Sequence, residues 1–218
     1  MTVIERYRPA ELSALCAQVS TTLRRGGIVA IPTETYYGLG VDPFNSAALR
    51  RLAKVKGRPD DKPILLLIGA PKQLSDLVEQ VPPAAMVLME AFWPGPLTIV
   101  FPARADVHEL VTAGTGTVGV RWSSLTALSD ILQFVGPLTG TSANRSGEIP
   151  GRTAREVRQT LGEEIDLIID AGTMPGGLPS TVIQVRGQTR ILREGAIARA
   201  SIQHTLNTRG FVLNEGQM

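Results

Sequence analysis

The residues best equipped for chemistry in this sequence are arginines, lysines and short hydroxyls gathered at the ends of short apolar runs. After the run Ile28–Ile31 and Pro32 come Thr33, Glu34 and Thr35, with Gly38 and Gly40 close behind, where bare backbone permits close approach. A Pro-plus-hydroxyl turn would look the same at this level. Lys54-Val55-Lys56-Gly57-Arg58-Pro59 reads as a helix end, because Gly57 stops the helix and Pro59 draws Arg58 into an extended conformation. Residues two apart in an extended stretch lie on one side, so Lys56 and Arg58 can grip one anion between them. As cations at a helix C-terminus they would also favour its dipole, and the two readings are compatible.

Thr141, Ser142, Asn144 and Ser146 offer short donors in a bend, either as a nest of backbone amides for an anion or as a turn that satisfies itself. Gly176 and Gly177 precede Ser180 and Thr181, Arg121 ends the run Thr117–Arg121, and Arg193 follows Ile191 and Leu192. A pocket made of such groups would hold phosphates and a carboxylate. It would stabilise charge at a transferring phosphoryl centre and would be poorly equipped to shuttle protons.

The usual catalytic sets are missing. Neither histidine, His108 or His204, falls in any of these clusters, which makes a Ser-His-Asp arrangement improbable. No Gly-Lys-Ser/Thr occurs, and Cys16 has no partner for a disulfide or a zinc cluster, so no metal site is expected from protein ligands. Gly114 to Gly119 matches G-x-G-x-x-G by letters, but a strand is expected after these glycines, where a dinucleotide fingerprint needs a helix. Net charge is +2, which does not suggest a polybasic nucleic-acid binder, and only Lys54, Lys56, Lys62 and Lys72 among the 22 basic residues are lysines. Arginine's planar fork suits phosphate and carboxylate.

The elements that must position these groups alternate between the two periodicities. Helices are predicted over Ala10–Arg25, Ala47–Lys56 with Ser46 as its cap, Lys72–Val78, Pro83–Phe92, Leu125–Phe134, Ala154–Leu161 and Ala196–Asn207. Strands are predicted over Ile28–Ile31, Ile64–Ile68, Leu97–Phe101, Val118–Trp122, Pro137–Thr141, Ile165–Ile169, Thr181–Val185 and Thr189–Leu192, the last two as a hairpin across Arg186-Gly187-Gln188. The expectation is a single α/β domain spanning 1–218, with a twisted mixed sheet and flanking helices. Its core would run from about 10 to 197, with a fraying tail over about 208–218. No apolar run is long enough to span a bilayer and the N-terminus lacks a signal-peptide core, so a cytoplasmic protein without membrane attachment is expected.

The segments PTETYYGLG, KGRPDDKPI, FWPGPLT, TVGVR, TSANRSG, GGLPSTVI and ILREGAI, in this order from about Gly26 to Ile197, resemble the YrdC-type threonylcarbamoyl-AMP synthases. The resemblance implies an α/β fold with a basic concave face. It implies a nucleotidyltransferase that joins L-threonine and bicarbonate to a carbamate and transfers it to the α-phosphate of ATP, with Mg²⁺. The product would serve tRNA threonylcarbamoyladenosine modification, through tRNA and a downstream threonylcarbamoyl-transfer complex. Lys56 and Arg58 would be catalytic. Thr33, Arg121, Gly140 and Ser180 would hold threonine, and Arg58, Lys62, Thr117, Ser142, Asn144 and Arg193 would contact ATP. The chain departs from many relatives at Leu67, where histidine is common, at Pro179, where glutamate is, at Thr141, where proline is, and at Lys62, where asparagine is. Its length is similar to that of the short, single-domain form. Two other functions fit the same concavity: an RNA-binding or ribosome-assembly factor without catalysis, and a related enzyme that forms a carbamoyl-adenylate on another amine.

Overall fold

The computed structural model describes residues 2–57 and 62–214. In chain order the elements are β1 (Val3–Arg6), α1 (Leu12–Arg24), β2 (Val29–Ile31), β3 (Gly38–Gly40), α2 (Ser46–Lys56), β4 (Leu66–Ile68), α3 (Pro83–Phe92), β5 (Leu97–Pro102), α4 (Glu109–Thr112) and β6 (Thr117–Trp122). They continue with α5 (Thr126–Val135), β7 (Leu138–Thr139), β8 (Thr141–Ser142), α6 (Ala154–Leu161), β9 (Leu167–Asp170), β10 (Thr181–Gln184), β11 (Arg190–Arg193) and α7 (Arg199–Asn207). The mixed α/β architecture is the one the alternation predicts, and the strands divide between two sheets. A five-stranded sheet runs β1-β9-β2-β3-β8 and a six-stranded sheet runs β11-β10-β5-β6-β4-β7, each with parallel and antiparallel pairs.

The pleat explains why the central strands are apolar without interruption. Ala30, Leu66, Ile68 and Ile168 point into the main core, while their neighbours Val29, Ile31, Leu67, Leu167 and Ile169 point the other way into a second core beneath α1 and α5. Cys16 lies fully buried in that second core, a small apolar residue in a helix face. Among the described residues no helix is long and apolar enough to cross a membrane.

Several local expectations change. The cap of α2 is Asn45, whose side chain accepts from the Ala47 and Ala48 amides, and Ser46 is the first helical residue. The helix expected at Lys72–Val78 is a six-residue 3₁₀ turn, Pro71–Asp76, in which Gln73 bonds the Gly69 amide and the Leu132 carbonyl. The strand expected over Pro137–Thr141 breaks at Gly140, so that β7 joins the six-stranded sheet and β8 the five-stranded one. A Cβ at Gly140 would stand 2.6 Å from Leu67 Cδ1, which is why the crossing between sheets takes a glycine. The segment after α7, expected to fray, packs as far as Asn214: Leu213 is buried in the main core and the Asn214 amide donates to the Thr189 carbonyl. Gly114 and Gly116 take positive φ in the turn that feeds β6, and no strand-to-helix phosphate loop forms there.

Candidate active site

One face of the six-stranded sheet is left uncovered by helices at its centre and floors a cavity of about 940 Å³. Period-two alternation sets the floor: Thr98 and Val100 of β5, Thr117, Gly119 and Arg121 of β6, and Val182 and Gln184 of β10 all face it. Registers align Val182 with Thr98, and Gln184 with Val100 and then Gly119, so the floor is a grid of mixed hydroxyl, apolar and bare-backbone positions. One wall is the 33–37 segment together with the glycine loop before β10. Gly140, Thr141 and Ser142 adjoin that segment through the β3–β8 pairing and continue the rim of the cavity.

The first wall is held together by hydrogen bonds between its two segments. The Gly176 amide donates to Thr35 O at 2.7 Å, Tyr36 Oη donates to Gly177 O, and Tyr37 Oη donates to Gly172 O at 2.9 Å. Burial pushes the Tyr37 hydroxyl up to about 12, so it stays a donor at neutral pH. Thr33 Oγ1 donates to Tyr36 O at 2.6 Å and accepts from the Thr35 and Tyr36 amides, a hydroxyl turn that also presents its oxygen at the cavity edge. Thr98 Oγ1 and Ser180 Oγ lie 2.8 Å apart, and Arg193 donates to Ser180 O at 2.8 Å.

Arg121 is the most unusual group of the site. Only 5% of it is exposed, it lines the cavity, and among the described residues it donates no hydrogen bond. Its Nε stands 3.6 Å from Glu34 Oε1, too far for a hydrogen bond. Burial pushes the Arg121 guanidinium below its ordinary value, Glu34 opposes that shift and Arg193 adds to it. Arginine does not lose its proton in practice, so the shift measures how poorly this charge is solvated. A ligand carboxylate would supply the missing partner through paired N–H···O bonds.

Lys56 is just as buried and in the opposite condition. Its Nζ donates to Ser142 O at 2.6 Å, Asn144 O at 2.5 Å and Asn144 Oδ1 at 3.0 Å, fastening the turn after β8 to the end of α2. It stands behind the cavity wall, not on it. Asn144 is likewise consumed: its Nδ2 donates to Arg145 O and Glu148 O. Gly57 ends α2 in the left-handed conformation, as the helix-stop reading expects. Arg58 lies outside the described residues.

Of the predicted site residues, Thr33, Thr117, Arg121, Gly140, Ser142, Ser180 and Arg193 share this one cavity. Lys56 and Asn144 are second to it and shape the wall through Ser142. Lys62 is exposed and is not among the lining residues. Leu67 sits behind Gly140, not at the cavity surface. The structure adds Tyr36, Thr98, Gln184, Arg186 and Arg190. The alternation Thr98-x-Val100 and Thr117-x-Gly119-x-Arg121 was the sequence signal for the floor, hidden by its apolar neighbours.

The family model Sua5_yciO_yrdC, described as telomere recombination, matches residues 21–195. The threonylcarbamoyl-AMP synthase of Pyrococcus abyssi is 35% identical over 186 residues, 84% of this chain and 55% of that protein, so this chain spans about half the length of that relative. A threonylcarbamoyl-AMP synthase of Vibrio vulnificus is 38% identical over 181 residues, covering 82% of this chain and 97% of that protein. The crystal structure of P. abyssi Sua5 complexed with L-threonine superposes with a TM-score of 0.88 at 31% identity, covering 98% of this chain and 62% of that one.

Proposed function

This chain belongs to the Sua5/YciO/YrdC family, and from that premise we propose that it is a threonylcarbamoyl-AMP synthase, a nucleotidyltransferase acting on L-threonine, bicarbonate and ATP. The observation that carries this reading is Arg121: a buried cation on the floor of a cavity, with no hydrogen-bonded partner of its own. Glu34, 3.6 Å away, offsets part of the cost of burying this charge, and a ligand carboxylate would supply the hydrogen bonds that Arg121 lacks.

In the proposed reaction the threonine amine and bicarbonate condense to a carbamate with loss of water. A carbamate oxygen then attacks the α-phosphorus of ATP and pyrophosphate leaves. Arg121 takes the threonine carboxylate, with Thr33, Gly140 and Ser180 closing around it. Arg193, Thr117 and Ser142 face the nucleotide, and the family resemblance alone adds Arg58 and Lys62 as contacts to it. The chemistry asked of the protein is mostly approach: two anions must be brought together, which cationic walls and a fixed geometry favour. Lys56 contributes by holding the Ser142–Asn144 turn in place.

Magnesium fits as a companion of the triphosphate. The donors on the cavity wall are hydroxyls and carbonyls, and among the described residues no three His, Cys, Asp or Glu side chains gather as ligands. A hard cation that keeps its waters and binds mainly phosphate oxygens suits that set, and the Ser142 hydroxyl on the cavity wall would be one protein oxygen able to serve it. It would neutralise phosphate charge. The product, an activated carbamoyl group, would pass in the cytoplasm to a downstream complex that modifies tRNA.

The test is pyrophosphate release from ATP by the purified chain. Release that requires both threonine and bicarbonate is the expected result. Equal release with another amino acid would favour a related carbamoyl-adenylate enzyme. No turnover, with RNA affinity falling steeply in salt, would favour an RNA-binding factor.

A further inference from the structure

Among the described residues, the buried side-chain polar atoms without any hydrogen-bond partner are Glu34 Oε1 and Arg121 Nε, and they face each other. Buried polar atoms are nearly always paired, so this exception asks for a cause. A guanidinium and a carboxylate free to meet would close into a forked pair at hydrogen-bond distance. Here Glu34 is held back. Its other oxygen, Oε2, takes a short hydrogen bond from Ser123 Oγ, and Ser123 is fully buried, with its own Oγ accepting from the Leu125 amide at the start of α5. The result is a negative charge 3.6 Å behind Arg121 that attracts it without occupying its donors.

We propose that Glu34 is a built-in counter-charge that tunes the affinity of this site for an amino-acid carboxylate. It makes a buried guanidinium tolerable when no carboxylate is bound. It also repels the incoming carboxylate, and so holds substrate affinity below the level that Arg121 would give by itself. The restraint by Ser123 is what keeps these two effects together, since a Glu34 able to close on Arg121 would block the site. The inference rests on the reading that Arg121 receives the substrate carboxylate. It makes Glu34 a positioning residue that acts through Arg121.

The sign of the effect separates this role from a structural one, because damage to a wall weakens binding and loss of a repelling charge tightens it. Calorimetric titration of L-threonine into the full chain is expected to give roughly tenfold tighter binding for Glu34→Gln, from the Coulomb term alone. Glu34→Asp, which keeps the charge but draws it away from Arg121, is expected to tighten binding by less. Threoninol, which lacks the carboxylate, is not tightened in either variant. Unchanged or weaker threonine binding by folded Glu34→Gln overturns the proposal, as does equal tightening toward threoninol. Should Glu34→Gln fail to fold, Glu34→Asp carries the same test of sign, and unchanged or weaker threonine binding overturns it there. Wild-type protein that binds no threonine at all defeats the functional reading itself, an outcome distinct from the wrong sign in a variant.

Discussion

Two cations in this molecule are buried to the same degree and live in opposite circumstances. Lys56 and Arg121 are each 5% exposed. Lys56 gives hydrogen bonds to oxygens of Ser142 and Asn144, whereas Arg121 gives none among the described residues. Burial alone therefore does not say what a charge is for. A charge satisfied by its own protein fastens structure, while a charge short of partners beside a cavity keeps donors free for a ligand, the role proposed for Arg121.

Three substitutions test these roles. The largest effect is expected for Arg121→Gln, which should lower pyrophosphate release at limiting threonine on the order of 10²–10³-fold. Its resistance to urea should change less than that of the lysine variant. Next is Lys56→Met, which orphans the Ser142 and Asn144 oxygens and should cost about 2–3 kcal/mol in denaturant unfolding, with activity lost alongside. If Arg121→Gln proved as destabilised as Lys56→Met, the distinction between the two would collapse. The smallest effect is expected for Gly140→Ala, at about 1–2 kcal/mol, because the new methyl group meets Leu67. Adding Leu67→Ala should give a double variant less destabilised than the sum of the two single changes.

The alternation of helix and strand was legible because α3 and α6 begin at strong signals: Pro83 opens one, and Thr153 caps the other through the Glu156 amide. β1 was not legible, since Val3–Arg6 has two charged residues in four and forms an edge that, among the described residues, pairs only with β9. β3 was hidden because Gly38-Leu39-Gly40 reads as a loop. Its glycines are needed where Thr141 O and Leu138 press close, a constraint set by other parts of the chain. The site followed the same rule. Cations at strand ends, Arg121 and Arg193, were readable from position. Lys56 was not, because only the folded turn from residue 142 onward decides whether its ammonium faces a ligand or the protein.

The floor of the cavity has β5 at its centre, with β6 on one side and β10, supported by β11, on the other. Arg121 and Glu34 are separated by most of a hundred residues, as are Lys56 and the turn it fastens, and Arg193 comes near the end of the described chain. A growing polypeptide thus lacks the β10 side of the pocket, with Ser180 and Arg193, until the hairpin after Ser180 has emerged and folded back. Contacts of such long range are won late, so competence for ATP should arrive with the finished molecule, and partial chains should be catalytically silent.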